Sequence, residues 1–594
     1  MKNAIFINNI QYMMKNWMNW DKKSLAFFIV RIPALVFQPI VTAYIPKAMI
    51  DCINNGVTLD YLATIIALLS VLVALTAWLS PFMQELLLGS ARIIRMRYAV
   101  LAFKKNIYMD YINVESFEGR EKNKRASEFY RSNYSSSSEF IENSNQFFVC
   151  LVGVLISAVL IYKINFLMIL IIFLTCVGEF FLLKYLNTKE KSVKDIRSNI
   201  LVKLDYFYKL SKETSYAKDI KSYNFSDYFI YILSKFIFQL EKITSKYIRQ
   251  SFKVSGTRAI LNLIRELIAY IYLIILVVQS RLSISDFVFY FGIITGFSNW
   301  IMNLVVCYSN IERNCNDCQA FRDFINQDDE YDFVKGNHRL LDIKTIEFRN
   351  VSFKYPNADD YTIKNISFKI NSEENIAIVG ENGSGKTTIV KLLCGLYKPT
   401  SGNILINGID INDISIPEYF DLFSPVFQDY SFLPMSIAEN VSVSLDYDES
   451  RLQEALIKAG IKSKIESLPK KEKTLMIKDV YKNAVEFSGG EKQKLLLAKA
   501  IYKNASILIL DEPTAALDPI AENELYLKYN EITKNKISFF ISHRLSSTRF
   551  CDRILFVKEG KILEEGSHSD LMQLRRSYYK MYQVQSYYYK EVNN

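Results

Sequence analysis

Six apolar runs of spanning or nearly spanning length crowd the first half of the chain, and they restrict its fold more than any other feature. They are Ser24 to Ile45, Leu62 to Ser80, Phe147 to Tyr162, Phe166 to Leu183, Ala259 to Val278 and Phe287 to Cys307. In hydrocarbon every backbone N–H and C=O must find its partner within the protein, so segments of this kind are predicted to be transmembrane helices. Half of the 594 residues are hydrophobic, with 40 Phe and 38 Tyr, as a large membrane portion requires. The predicted outer loops carry one basic residue each, Lys47, Lys163 and Arg281. The first long inner loop alone carries Arg92, Arg95, Arg97, Lys104, Lys105, Arg120, Lys122, Lys124 and Arg125. The positive-inside rule then puts both termini and both long loops in the cytoplasm. That distribution accounts for the net charge of +10 without a nucleic acid partner.

The two inner segments, roughly 89–146 and 184–258, are charged and helix-patterned. They are predicted to be spanning helices that continue into the cytoplasm and turn back. Asp110 to Arg120 and Tyr216 to Tyr228 are candidates for short elements at their far ends. The serine run Ser135 to Ser138 is expected to be a flexible patch of the first loop. Within the spans stand Arg31, Glu179, Arg265 with Glu266, Asn299 and Asn303. Polar groups at that depth face a protein interior or a wet cavity, so each marks either a solute pathway or a helix-to-helix pairing. Pro33, Pro39 and Pro81 are candidate kinks. The eight cysteines form neither a disulfide framework nor a zinc pattern, and the Cys315/Cys318 pair is read as free thiols in a reducing compartment. The first apolar run begins near Ser24 without a small-residue cleavage pattern, so no cleavable signal peptide is expected.

The second half changes character. After a polar connection (326–344) between a membrane domain (1–325) and a soluble domain (345–594), alternating text from Thr345 to Phe353 opens an α/β region. Its centre is Gly380-Glu381-Asn382-Gly383-Ser384-Gly385-Lys386-Thr387-Thr388, after the apolar run Ile376 to Val379 and before a helix-compatible stretch to Leu396. Glycines let successive N–H groups converge on one concavity, and the helix that starts there adds its positive end, so the loop suits a polyphosphate. Lys386 reaches the outer phosphates and Thr387 the magnesium ion bound with them. A second element, Ile507 to Leu510, ends in Asp511 and Glu512. Asp511 is the candidate magnesium ligand, and Glu512 the group that orients and deprotonates the attacking water. Between them Ser488-Gly489-Gly490 opens a helical run, which is a further anion-binding geometry.

With FSGGEKQ at 487–493 added to these elements, nearly the whole chain resembles an ATP-binding cassette transporter of the exporter kind. The resemblance implies ATP and Mg2+ as ligands, a dimer of half-transporters in a membrane, and each ATP held between one phosphate loop and the partner's Ser488, Gly489 and Gly490. It also implies that Tyr355 stacks on adenine, that Gln428 touches the magnesium or the water, that Asp518 couples the two sites, and that His543 contacts the terminal phosphate. His338 and His568 receive no functional role. The text before the signature, Lys478 to Ala484, departs from the family's glycine-containing acidic loop, and Glu491 replaces a more frequent glutamine. With Lys386, Asp511, Glu512 and His543 all present, the chain is expected to hydrolyse ATP. The leading expectation is export of a hydrophobic, amphipathic or peptide-like solute across the plasma membrane, probed by the direction of ATP-dependent movement in inverted vesicles. An importer of metal chelates and a nucleotide-switched regulator of a membrane partner are the rivals. A soluble ATPase acting on nucleic acid is disfavoured by the spans.

Overall fold

The computed structural model describes residues 2–164, 166–327, 342–356, 358–513, 528–529, 531–542 and 545–590. The chain divides into two compact units. One comprises Met1–Ile107 with Glu121–Gln327, the other Tyr108–Arg120 with Asp328–Asn594.

The first unit is helical: α1 (Lys2–Trp20), α2 (Ser24–Asn54), α3 (Leu59–Tyr108), α4 (Tyr111–Glu115, counted with the second unit), α5 (Phe117–Ser127), α6 (Ser136–Tyr162), α7 (Phe166–Lys212), α8 (Thr214–Ser222), α9 (Ser226–Val278) and α10 (Ile284–Ile325). Among the described residues five of these, α2, α3, α6, α9 and α10, are long and apolar enough to cross a membrane. The remaining predicted span, Phe166 to Leu183, the fourth in the chain, coincides with the start of α7. At 50, 47 and 53 residues, α3, α7 and α9 far exceed the roughly 20 residues that a bilayer requires, so each continues well beyond its apolar run. Short helices α4 and α8 form at the two predicted turning points. The helix α2 runs on through Pro33, Pro39 and Pro46, and α3 through Pro81. Ser135 to Ser138 is not a loose patch. All four serines are buried, and Ser136 to Ser138 form the first turn of α6.

Packing in this unit depends on small residues that let helices approach closely. A Cβ on Gly153 of α6 would come within 2.4 Å of the Trp300 ring on α10, and one on Gly292 within 2.8 Å of the Ala43 Cβ on α2. Several intramembrane polar groups pair between helices. Arg31 donates to the Asn145 Oδ1 (2.7 Å) and the Gln84 Oε1 (3.0 Å), joining α2, α6 and α3. Arg265 on α9 meets Glu179 on α7 at 3.3 Å, both almost fully buried. Asn299 and Asn303, one helical turn apart on α10, are exposed within the single chain. Cys315 and Cys318 are buried free thiols on α10.

The second unit contains two sheets. An antiparallel sheet has the order β2-β1-β4-β5, formed by β1 (Thr345–Phe353), β2 (Ile363–Asn371), β4 (Ser401–Ile406) and β5 (Ile409–Asp410). The larger sheet has the order β10-β9-β3-β8-β7-β6, formed by β3 (Asn375–Gly380), β6 (Phe423–Val426), β7 (Ile507–Asp511), β8 (Ile537–Ile541), β9 (Arg553–Lys558) and β10 (Lys561–Gly566). It is parallel from β9 to β6, with β10 antiparallel at its edge. Helices α11 (Lys386–Leu393), α12 (Ile416–Asp421), α13 (Ile437–Ser442), α14 (Glu449–Lys458), α15 (Lys462–Glu466), α16 (Gly489–Lys503), α17 (His568–Leu574) and α18 (Ser577–Lys590) complete it. The strand β7 reads as an unbroken apolar run because both of its faces are covered. Ile507 and Ile509 enter one core with Ile376 and Ile378, while Leu508 and Leu510 enter another with Leu495, Leu497 and Ala498 of α16.

Candidate nucleotide site

The site lies at the carboxyl ends of four adjacent parallel strands, where an open α/β sheet places its ligands. In the spatial order β3-β8-β7-β6, these strands deliver the phosphate loop, Ser542, the pair Asp511 and Glu512, and the pair Phe427 and Gln428. His543 and Asp518 lie outside the described residues, as do Ala516, Leu517 and His338.

Two glycines of the loop have backbone reasons to be glycine. Gly380 stands so close to β9 that a Cβ would fall 2.0 Å from the Val557 carbonyl oxygen. Gly385 caps α11 at φ 108°, a conformation that side chains disfavour. Glu381, Asn382 and Gly383 are exposed, and the Ser384 hydroxyl is buried without a hydrogen-bond partner. Lys386 is buried and donates to the Gly380 (3.0 Å) and Glu381 (2.9 Å) carbonyl oxygens. Burial lowers its pKa, against the pull of the Glu512 and Asp511 charges. Thr387 is exposed, whereas Thr388 is buried and its hydroxyl is 3.0 Å from that of Tyr355.

Gln428 and Glu512 meet, with the Gln428 amide donating to the Glu512 carboxylate at 2.8 Å. Glu512 stands at φ 48°, and its backbone N–H donates to the Ile541 carbonyl of the neighbouring strand. That arrangement turns the carboxylate off the end of β7. Burial, reinforced by the Glu512 charge, pushes the Asp511 carboxyl up to about 6, with Lys386 pulling the other way. The Asp511 Oδ1 is buried and makes no hydrogen bond. The orphaned Asp511 oxygen, the exposed Thr387 hydroxyl and the Gln428 amide oxygen are donors of the type that fits Mg2+, a hard ion taking oxygen ligands. Asp511, Thr387 and Gln428 would hold it.

Ser488 caps α16. Its hydroxyl accepts from the Glu491 N–H (3.4 Å), while its own N–H donates to the Glu491 carboxylate (2.8 Å). Glu491 also pairs with Lys464 at 3.1 Å. The glutamate is therefore the second half of a capping box, which the S-x-x-E spacing carries as a readable signal. The cap uses a lone pair of Ser488 and leaves its proton to donate, and Ser488 and Gly489 are exposed. Sequence reasoning also missed Tyr397 and Lys391, which pack beside Tyr355 and on α11. Their contacts with Tyr355, Tyr111 and Glu115 are with residues far away in the chain, and no local pattern announces them.

Residues 363–515 match the family described as ABC transporter. The chain is 29% identical over 392 residues to the subtilin transport ATP-binding protein of Bacillus subtilis, covering 64% of this chain and 62% of that one. It is 37% identical over 242 residues to the ATP-dependent lipid A-core flippase of Bordetella avium, covering 40% of each. These matches span at most about three-fifths of the relatives' length. A solved bacterial Atm1-family ABC exporter with ATP bound has the same fold, with a TM-score of 0.76 at 20% identity over 95% of this chain and 98% of that one. The cassette, residues 363–515, matches the ABC transporter family, and almost the full length of the chain has the fold of that exporter.

Proposed function

We propose that this chain is an ATP-hydrolysing half-transporter that pairs with a second such chain and exports an amphipathic, hydrophobic or peptide-like solute. The observation that carries the reading is the hydrogen bond from Gln428 to Glu512, formed at the end of the strand that also bears Asp511, with Lys386 buried beside both acids. Gln428 orients the Glu512 carboxylate as the acceptor for a proton of the attacking water. Lys386 neutralises phosphate charge, and the Ser384 hydroxyl is free to donate to a phosphate oxygen. Mg2+, when bound, would add charge stabilisation at the transferring phosphate. His543 is assigned the terminal phosphate and Asp518 the coupling of the two sites. The Ser488, Gly489 and Gly490 facing each ATP are assigned to a second cassette.

The exposed Asn299 and Asn303 on α10 support a solute path. Amide side chains at that depth are costly against lipid and acceptable against a wet cavity. One relative is named for subtilin transport and another as a lipid A-core flippase, which favours export of a peptide-like or lipid-like molecule. The test is ATP-dependent movement of amphipathic peptides and lipids in inverted membrane vesicles. Accumulation abolished in Glu512→Gln supports export. Depletion of a preloaded solute would instead favour import. Turnover indifferent to every solute, with a partner protein bound under nucleotide control, would favour a regulatory role.

A further inference from the structure

The tyrosine assigned to adenine does not stand alone. The Tyr355 ring is met edge-on by Phe353 (centroids 4.9 Å apart, planes at 80°) and by Tyr397 (5.4 Å, 84°). Tyr397 is almost fully buried, and its ring is met edge-on in turn by Tyr111 of α4 (5.7 Å, 85°). Lys391, one turn beyond Thr387 on α11, closes this ladder. Its ammonium lies 5.5 Å from the centre of the Tyr111 ring and 5.6 Å from that of Tyr397, and it pairs with the Glu115 carboxylate at 3.2 Å. Ile112 packs against the core that contains Tyr397. The segment Tyr108–Arg120, which follows the long helix α3, is thereby built into the same compact unit as the cassette.

We propose that Tyr111 and Lys391 are positioning residues for the nucleotide base. One cation satisfies two rings and a carboxylate, and so holds Tyr397, and through it Tyr355, in a fixed edge-on stack. The inference rests on the reading that Tyr355 faces adenine. It adds that affinity for the base, as distinct from the phosphates, is set in part by the segment that follows α3. By reciprocity, bound ATP strengthens the seating of that segment on α11.

The experiment uses the full chain in lipid nanodiscs and measures the dissociation constants of Mg-ATP and of Mg-triphosphate, which has no base. Tyr111→Ala and Lys391→Met are expected to weaken ATP about fivefold and leave triphosphate unchanged. Tyr111→Phe, which keeps the ring, and Lys391→Arg, which keeps a cation over it, are expected to restore ATP binding. A merely structural role would lower the melting temperature and move both ligands together, which counts against the proposal. ATP affinity within twofold of the parent in Tyr111→Ala, with Tyr355→Ala clearly weakened, overturns it while leaving the base reading intact. Should Tyr355→Ala itself bind ATP and triphosphate as the parent does, the base reading fails and the proposal falls with it.

Discussion

Acidification should weaken Mg-ATP binding, and Asp511 is the group responsible. Its carboxyl titrates at about 6 in the fold against 3.8 for a free aspartate, because it is buried beside Glu512. As the proposed metal ligand Asp511 acts in its ionised form, which is about nine-tenths present at about pH 7 and about one-tenth present at about pH 5. The apparent affinity should therefore fall about tenfold between these values, equivalent to about 1.4 kcal/mol. The sign for the ligand-free chain is opposite. A raised carboxyl pKa means that the fold binds its proton more tightly than the unfolded chain does. Stability is then highest below 3.8 and declines as pH rises through the window up to about 6, by about 3 kcal/mol in all, and is level above it. Calorimetric titration of Mg-ATP into the purified chain, with melting curves alongside and the same series on Asp511→Asn, reads both effects. A dissociation constant that stays flat across this pH range, or an Asp511→Asn chain that keeps the full pH dependence, would refute the reasoning.

Glu512→Gln should bind Mg-ATP with near-parental affinity while turnover falls about 10²–10⁴-fold, measured by phosphate release, since the water loses its proton acceptor. Gly153→Ala should destabilise the helical unit by about 1–3 kcal/mol, seen as a lower melting temperature, because the new methyl group meets the Trp300 ring at 2.4 Å. Trp300→Leu in the same chain should recover part of that loss. Glu179→Gln should cost about 3–5 kcal/mol, because it removes the carboxylate that faces the buried Arg265 guanidinium. The double variant Glu179→Gln, Arg265→Met should be more stable than the single one in a thermal denaturation series, and failure to recover would argue against the pairing.

The elements with local signals were legible in the sequence. The strand at Thr345–Phe353 showed its alternation, and β7 and β8 showed apolar runs buried on both faces. The order of strand, glycine loop and helix at β3 and α11 was fixed by steric demands that glycine alone meets. What the sequence lacked was partnership across distance. It gave the depth of Glu179 and Arg265 but not their pairing, because only the packing of α7 on α9 decides that. The ladder from Tyr111 to Tyr355 joins residues far apart in the chain, so no periodicity could reveal it. The serines at 135–138 misled because turn-forming composition says nothing about burial, and here they start a packed helix. The S-x-x-E spacing of Ser488 and Glu491 is a local signal of the capping box that starts α16, and it was not read as one from the sequence.

The account's central claim is that ATP cleavage at Glu512 drives solute movement through the helices of the same chain. The most direct measurement places the purified protein in sealed proteoliposomes and follows phosphate release and the accumulation of a labelled amphipathic peptide or lipid together. The account predicts that the two rates rise together with ATP and that Glu512→Gln abolishes both. Solute movement that continues undiminished in Glu512→Gln would contradict it.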